Sequence, residues 1–309
     1  MSKTYLDFNT AMQNRFGGKV YRLALRSGAT CPNRDGKCGT GGCIFCSKGG
    51  SGEFAAGGDI LSNQLEEAKK KVESKVKSAK AKGNFAGYVA YFQSFTNTYY
   101  RNESELEYFR CLYREAAEHP EIIALSIATR PDCIDEQIIS MLYELNQIKP
   151  VWVELGLQTS NDKTAEIINR CYETKIYDEA VEKLHKIGIE VITHVMVGLP
   201  GEDEEDAKKT VEHVVRLSKP GDGIKISLLY VLKETLLEKI ISKSENIIRQ
   251  YSLEEYGAIL KNLISVIPSD MIVHRITGDP PKKDIISPLW TTDKKKVLNY
   301  LNKIFEVVK

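Results

Sequence analysis

Apolar and polar positions along this chain repeat with two periods that take turns. Short β-rich runs at 19–26 (KVYRLALR), 86–92 (AGYVAYF), 122–129 (IIALSIAT), 151–157 (VWVELGL), 190–197 (EVITHVMV) and 223–231 (GIKISLLYV) each predict a strand. Between them lie stretches of helical period. In 136–145, Ile138, Ile139, Leu142 and Leu145 share one helical face. In 177–188, Ala180, Val181, Leu184 and Ile187 do the same, and Gly188 is the expected stop. Strands separated by helices of this length imply right-handed crossovers and a parallel sheet. Six such units predict an α/β fold, a partial (β/α)6 TIM-like barrel. Past about residue 235 the alternation fades. A helix near 253–266, an extended piece at 271–277 and a helix near 292–307 predict a C-terminal α/β appendage, which divides the chain into a barrel (1–235) and an extension packed on it (236–309).

Composition narrows the class without naming it. With 42% hydrophobic and 28% charged residues in 309, the chain has enough apolar material for a large core, so disorder is not the default. A net charge of +1 argues neither for nor against a polyanionic partner. No apolar run approaches the roughly 18 residues of a membrane helix, and no signal-peptide pattern follows Met1. The expectation is a cytoplasmic protein with no membrane partner, whose clustered thiols bind metal or do chemistry. The acidic run Glu202 to Asp206 in GLPGEDEED (198–206) is expected at a helix start, where the helix dipole favours negative charge.

The chemistry concentrates in CPNRDGKCGTGGCIFC, residues 31–46, which holds four of the seven cysteines directly after the first strand. In parallel β/α barrels that end of the strands carries the active site. Its glycines Gly36, Gly39, Gly41 and Gly42 let the loop turn tightly. Four thiolates would make a closed zinc site, but such sites use two short CxxC pairs and this loop has one. Three thiolates would hold an iron–sulfur cluster with one iron left open. The single CxxC, Phe45 beside it and the position after the first strand favour the cluster. Cys111, Cys133 and Cys171 are scattered and read as small buried apolar residues. His119, His185 and His213 read as surface residues.

The loop resembles that of radical S-adenosylmethionine (SAM) enzymes, specifically the YtqA/YhcC-like (MnmL-type) family, whose long insert reads here as C-x11-C-x2-C. The resemblance implies Cys31, Cys43 and Cys46 as ligands of a [4Fe–4S] cluster, with Cys38 a bystander in the insert. It continues through YFQSFTNTYY (91–100), SIATRPD (126–132), VELGLQTSND (153–162), INR (168–170), HVMVGLPGE (194–202), LYVLKETLLE (229–238) and HRITGDPP (274–281). The first of these is similar to a segment in the radical SAM part of the Elongator catalytic subunit.

By position, the resemblance implies that the open iron chelates SAM and that one electron cleaves it to methionine and a 5′-deoxyadenosyl radical. Glu154 or Gln158 would then bind the ribose hydroxyls or the amino group, and Arg170 the methionine carboxylate. Thr96, Asn97 and Thr98 would contact the methionine or adenine part, and the backbone of 198–201 would pack on adenine. Phe45 and His194 complete the expected cofactor wall. Against each stands an ordinary reading as core or surface; the strongest functional case is Glu154, since a carboxylate in an apolar strand is costly unless paired.

The family also implies a substrate, the wobble uridine of tRNA. There a 5-carboxymethylaminomethyl group on (2-thio)uridine becomes 5-aminomethyl, and a separate tRNA methyltransferase acts next. The chain is expected to lack the acetyltransferase domain of the Elongator subunit, and to take electrons from a donor such as flavodoxin or ferredoxin. Two basic clusters are candidates for RNA contact: Lys69–Lys82, with seven lysines against one glutamate, and Lys282, Lys283 and Lys294–Lys296, with Arg275 and Trp290 nearby. A radical SAM enzyme acting on a small molecule or peptide remains an alternative. So does a non-catalytic zinc-containing nucleic-acid-binding protein, with Cys38 as a true ligand.

Overall fold

The computed structural model describes residues 3–50, 52, 54–58, 60–243 and 247–306. In chain order the elements are α1 (Phe8–Phe16), β1 (Lys19–Leu25), α2 (Leu61–Ala81), β2 (Phe85–Phe92), α3 (Glu103–Glu118), β3 (Ile122–Thr129), α4 (Glu136–Ile148), β4 (Val151–Gln158), α5 (Asp162–Ile167), α6 (Thr174–Lys186), β5 (Glu190–Val197), α7 (Glu204–Leu217) and β6 (Gly223–Leu228). There follow β7 (Val231–Leu232), α8 (Leu236–Ile241), α9 (Leu253–Ser265), β8 (Ile272–Arg275), β9 (Ile285–Ser287) and α10 (Lys294–Phe305). The sheet has seven parallel strands in the order β1-β2-β3-β4-β5-β6-β8, and β7 pairs antiparallel with β9 beside it. This is a partial TIM barrel with a small C-terminal sheet.

The six expected strands are all present, but the sheet gains a seventh. The extended piece at 271–277 supplies β8, which pairs with β6 through Gly223–Ile272 and Lys225–Arg275. Its parallel pairing depends on α9 crossing over, which a fading strand pattern does not reveal. Residue 307, the expected end of the last helix, lies outside the described residues.

Local chemistry sets the helix ends. Asp7 caps α1 by accepting from the amides of Asn9 and Thr10, and Gly17 ends it at φ 74°. The acidic run works as expected: Asp203 and Asp206 form a reciprocal capping box at the start of α7. Gly188, at φ 74°, follows the last turn of α6. The helices bury their apolar stripes against the outer face of the sheet, as Tyr177, Ala180, Val181 and Leu184 of α6 do. Each fully buried side chain of this size contributes about 1.5–3 kcal/mol.

The barrel interior is layered. At the end where the strands begin, Val20, Val89, Ala124, Trp152, Ile192 and Ile272 pack with Ala11 and Met12 of α1 into an apolar floor. The outer strands β1 and β8 do not pair with each other. Their gap is bridged at this level, where Arg22 Nη2 donates to His274 Nδ1 at 2.6 Å and the Val273 amide donates to the Leu6 carbonyl at 2.9 Å. Gly223 gives His274 its place, since a Cβ there would lie 2.5 Å from the imidazole.

Candidate active site

Two residues further along the strands, three on β8 where the register slips, the interior changes character. Arg22, Tyr91, Ser126, Glu154, His194, Lys225 and Arg275 form a polar ring, one residue from each of the seven strands, where barrels ordinarily stack Val, Ile and Leu. Another step along stand Ala24, Gln93, Ala128, Gly156, Met196 and Ser227, four of them small. The small side chains leave a cavity of about 1100 Å³ above the ring. That volume reaches the upper end of the range for ligand pockets.

Glu154 is the centre of the ring. Its Oε1 accepts from the Ser126 hydroxyl at 2.7 Å, and its Oε2 from His194 Nε2 at 2.7 Å and from Lys225 Nζ. Burial alone would raise its pKa, but Lys225, His194 and Arg22 outweigh it and hold the carboxyl well below the usual range. Burial pushes Lys225 down to about 7 despite Glu154, with Arg22 and Arg275 adding repulsion. Burial and Lys225 likewise lower His194 to about 4, so its imidazole is neutral at neutral pH.

At the opposite rim lies the cysteine loop. Cys31, Cys43, Cys46 and Phe45 line the cavity. Burial, then the neighbouring Cys46 and Cys31 thiols, push Cys43 up to about 12, so a ligand that takes thiolates must supply compensating positive charge. Cys38 is exposed, and its Sγ accepts from Arg130 Nη2 at 3.8 Å. Among the described residues no three His, Cys, Asp or Glu side chains converge on one metal ion. Cys31, Cys43 and Cys46 nevertheless share the cavity wall while Cys38 is exposed outside it, which suits a cluster that draws in three thiolates rather than a four-cysteine zinc site.

The loop is pinned from the far side of the barrel. Asn33, fully buried, donates to the Asn169 carbonyl, and Asn169 Nδ2 donates to the Gly42 carbonyl at 2.8 Å. The Ile44 amide donates to the Ile168 carbonyl at 3.1 Å. At Gly39 a Cβ would lie 2.2 Å from Asn33 Oδ1, so only glycine allows this approach. The INR stretch therefore serves the loop.

Three expectations change at this point. Arg170 reaches the cavity wall, yet its five N–H groups are all taken: Nε by the Tyr172 carbonyl, Nη1 by the Leu157 and Thr159 carbonyls, Nη2 by Asp162 and Thr174. It braces the end of β4 and has no donor left for a carboxylate. Thr96, Asn97 and Thr98 are buried behind the wall. Asn97 bonds Ser27, Phe92 and Ala128, and Thr98 bonds Thr129 and Cys133. Gln93 and Phe95 of the same stretch line the cavity instead. The 198–201 backbone is likewise absent from the wall; Leu199 is buried among Ile44, Ile168 and Leu229 beneath the loop.

Glu154, Gln158 and His194 do line the cavity. Gln158 sits at φ 62°, a left-handed backbone that is strained for a non-glycine residue and marks the register break closing β4. Sequence reasoning passed over Arg130, although SIATRPD was noted. Arg130 lines the cavity, lies over the Tyr172 ring, is clamped by Asp132 at 2.9 and 2.8 Å, and has no hydrogen-bond partner for Nη1 among the described residues.

Other sequence expectations fall elsewhere. Cys111 and Cys171 are exposed rather than buried, and Cys171 Sγ bonds Asn33 Oδ1 at 3.3 Å. His185 and His213 are half-buried and bond Asp222 and Asp178. Trp290 is tied through Nε1 to the Tyr251 carbonyl at 2.8 Å and packs on Tyr256, so it offers no free stacking face.

A parallel half-barrel whose loop presents three thiols to a cofactor-sized cavity has the make-up of an iron–sulfur enzyme that acts on SAM. The chain belongs to the radical SAM superfamily, which residues 31–214 match, while residues 221–306 match the Radical_SAM C-terminal domain. Within it the chain falls with YtqA and YhcC. It is 40% identical to "Uncharacterized protein YtqA" of Bacillus subtilis over 98% of this chain and 90% of that one. It is 33% identical to "Protein YhcC" of Escherichia coli over 93% and 87%. A "tRNA uridine(34) acetyltransferase" of Methanocaldococcus jannaschii is 32% identical over 56% of this chain and 31% of its own. The structure of Methanocaldococcus infernus Elp3 shares the fold, with a TM-score of 0.63 at 19% identity, covering 93% of this chain and 63% of that one. The cofactors of this superfamily are a [4Fe–4S] cluster and SAM. No helix among the described residues is long and apolar enough to cross a membrane.

Proposed function

We propose that this radical SAM enzyme modifies the wobble uridine of tRNA, converting 5-carboxymethylaminomethyl-(2-thio)uridine to 5-aminomethyl-(2-thio)uridine. The observation that carries the reading is the edge of the cavity, where Lys282 and Lys283, with Lys294 paired to Asp279 at 2.7 Å, line the same cavity as the cysteine loop. Lysines at such a rim meet RNA phosphates while a base reaches inward. The partial likeness to a tRNA uridine(34) acetyltransferase supports the same base. The Lys69–Lys82 helix contributes less: α2 is absent from the cavity wall, and Lys69, Lys71 and Lys77 are paired with glutamates.

When bound, the cluster and SAM would supply a radical able to take a hydrogen atom from the carboxymethyl CH2; with the second electron returned to the cluster, hydrolysis of the resulting imine would free the 5-aminomethyl group and release the two carbons as glyoxylate. The chain's own share is placement. Ala24, Ala128, Gly156 and Ser227 make the room, and Phe45 and Phe95 give an apolar wall that limits water. Arg130 offers the free guanidinium N–H groups that Arg170 lacks. The test is nucleoside mass spectrometry of tRNA from a deletion strain. Accumulated 5-carboxymethylaminomethyl-uridines with loss of aminomethyl products is the expected result. An unchanged profile moves the substrate to a small molecule or peptide. A colourless reconstituted protein holding one zinc removes the enzyme reading altogether.

A further inference from the structure

The polar ring carries more positive charge than its own residues neutralise. Three cations face it, Arg22, Lys225 and Arg275, against one carboxylate, Glu154; Tyr91, Ser126, His194 and His274 complete the groups around it. Both oxygens of Glu154 are already occupied, by Ser126 on one side and by His194 and Lys225 on the other. Arg22 spends Nη2 on His274, and its Nε is buried with no partner. Arg275 is paired in register with Lys225, lines the cavity, and has no hydrogen-bond or ion-pair partner among the described residues.

Arg275 is exposed to the cavity and water can serve it, but Arg22 keeps a buried donor without a partner beside it, which is costly unless an anionic acceptor arrives. SAM does not supply one here. Its sulfonium would add positive charge, and its carboxylate would be held with its amino group by a cluster on Cys31, Cys43 and Cys46, at the other end of the cavity. The missing anion therefore comes with the second molecule.

We propose that the ring is the substrate's anion site, with Arg275 as its free arm, and that it receives a carboxylate on the part of the substrate that enters the barrel. This deepens the tRNA reading, on which it rests for the identity of that carboxylate: the carboxymethyl group of the modified uridine. The geometry suits the task, because a planar guanidinium binds a carboxylate through two parallel N–H groups. Holding the carboxylate at the floor fixes the CH2 next to it in the space above the ring, on the side facing the cysteine loop.

The test is equilibrium binding of two nucleosides, 5-carboxymethylaminomethyluridine and its carboxamide, to the reconstituted, SAM-loaded full chain. The carboxylate should bind about ten-fold tighter or more than the amide. Arg275→Gln should erase that preference and Arg275→Lys should keep most of it, with iron content and thermal melting matched across the three proteins. Equal binding of the two nucleosides by the unaltered protein overturns the proposal without any variant. So does a folded Arg275→Gln protein that retains the full preference. Uridine 5′-monophosphate displacing the carboxylate nucleoside in an Arg275-dependent way would assign the site to phosphate and overturn the carboxylate. A carboxylate preference combined with unchanged tRNA nucleosides in the deletion strain sustains this site and removes the tRNA reading; the reverse combination does the opposite.

Discussion

Asn33 and Asn169 lock the cysteine loop to the end of α5: Asn33 donates to the Asn169 carbonyl, while Asn169 donates to Gly42 at 2.8 Å and to Asn33 Oδ1 at 3.4 Å. The two residues lie 136 positions apart in sequence, and the loop has no strand or helix of its own between Cys31 and Cys46. Its shape is borrowed from this contact. Asn169→Ala leaves the Gly42 carbonyl without this partner, while Asn33 keeps the Asn169 carbonyl and Cys171 Sγ, and the loss costs about 1–3 kcal/mol. The expected outcome is a folded protein that retains less than about half of the iron of the unaltered chain after reconstitution and desalting, since ligand placement depends on such supporting contacts. Iron retention equal to the unaltered protein would show that the loop orders itself.

Cys38 differs from its three neighbours in being exposed and absent from the cavity wall. Cys38→Ala should keep the cluster's colour and iron content. Cys31→Ala, Cys43→Ala and Cys46→Ala should each lose both. Visible absorption and iron assay of anaerobically reconstituted proteins decide the matter, and loss of iron in Cys38→Ala would restore the four-thiolate reading.

Arg170 separates bracing from cofactor binding. Replacing a fully buried, five-fold bonded guanidinium by Met takes the donor from three carbonyls, while the half-exposed Asp162 keeps Thr174, a loss of about 3–5 kcal/mol. Chemical denaturation should show that loss. SAM affinity measured on the fraction still folded should match the unaltered protein; a SAM defect without a stability defect would return Arg170 to the carboxylate.

His194 gives the acid side of the stability curve a specific slope. Its pKa is lowered to about 4 in the folded chain, against about 6.5 when unfolded. Below about 6.5 the unfolded chain binds the extra proton first, so stability is present above that pH and is lost as pH falls toward 4. The contribution is at most about 3 kcal/mol, less what cavity water screens. His194→Gln keeps a donor for Glu154 but does not titrate. Denaturation midpoints of the two proteins should therefore converge between pH 6.5 and 4, and parallel curves would mean that His194 does not titrate in this window.

Ala128 tests the layered interior. Ala128→Leu adds bulk toward the cavity, not the helix-covered face. It should fold with a modest change in stability and bind SAM at least about ten-fold more weakly by equilibrium dialysis. Unchanged SAM affinity would place the cofactor away from this wall.

How far the sequence revealed all this depends on the kind of signal. The strands stood out because β-branched and aromatic runs end at turn residues, and Glu154 and His194 because a polar residue in an apolar strand asks for a partner. Arg22 and Lys225 carried the same signal and went unread, since a single cation in a strand ordinarily faces solvent. Only the stagger of the pairing puts seven such positions in one layer. Thr96 to Thr98 failed for a related reason: a motif shows which residues are near a site, and the turn after β2, with Phe95 at φ 59°, decides which face it. Arg170 was misassigned because its type fits a carboxylate equally well as ligand or as brace, and counting its partners required coordinates.

The apolar floor sealed by α1 has a consequence for traffic. With that end shut, whatever rests on the ring arrives through the rim or through the unpaired flank between β1 and β8. A vessel closed only at its base can take its two guests in either order, so the ring can fill beneath a rim already loaded.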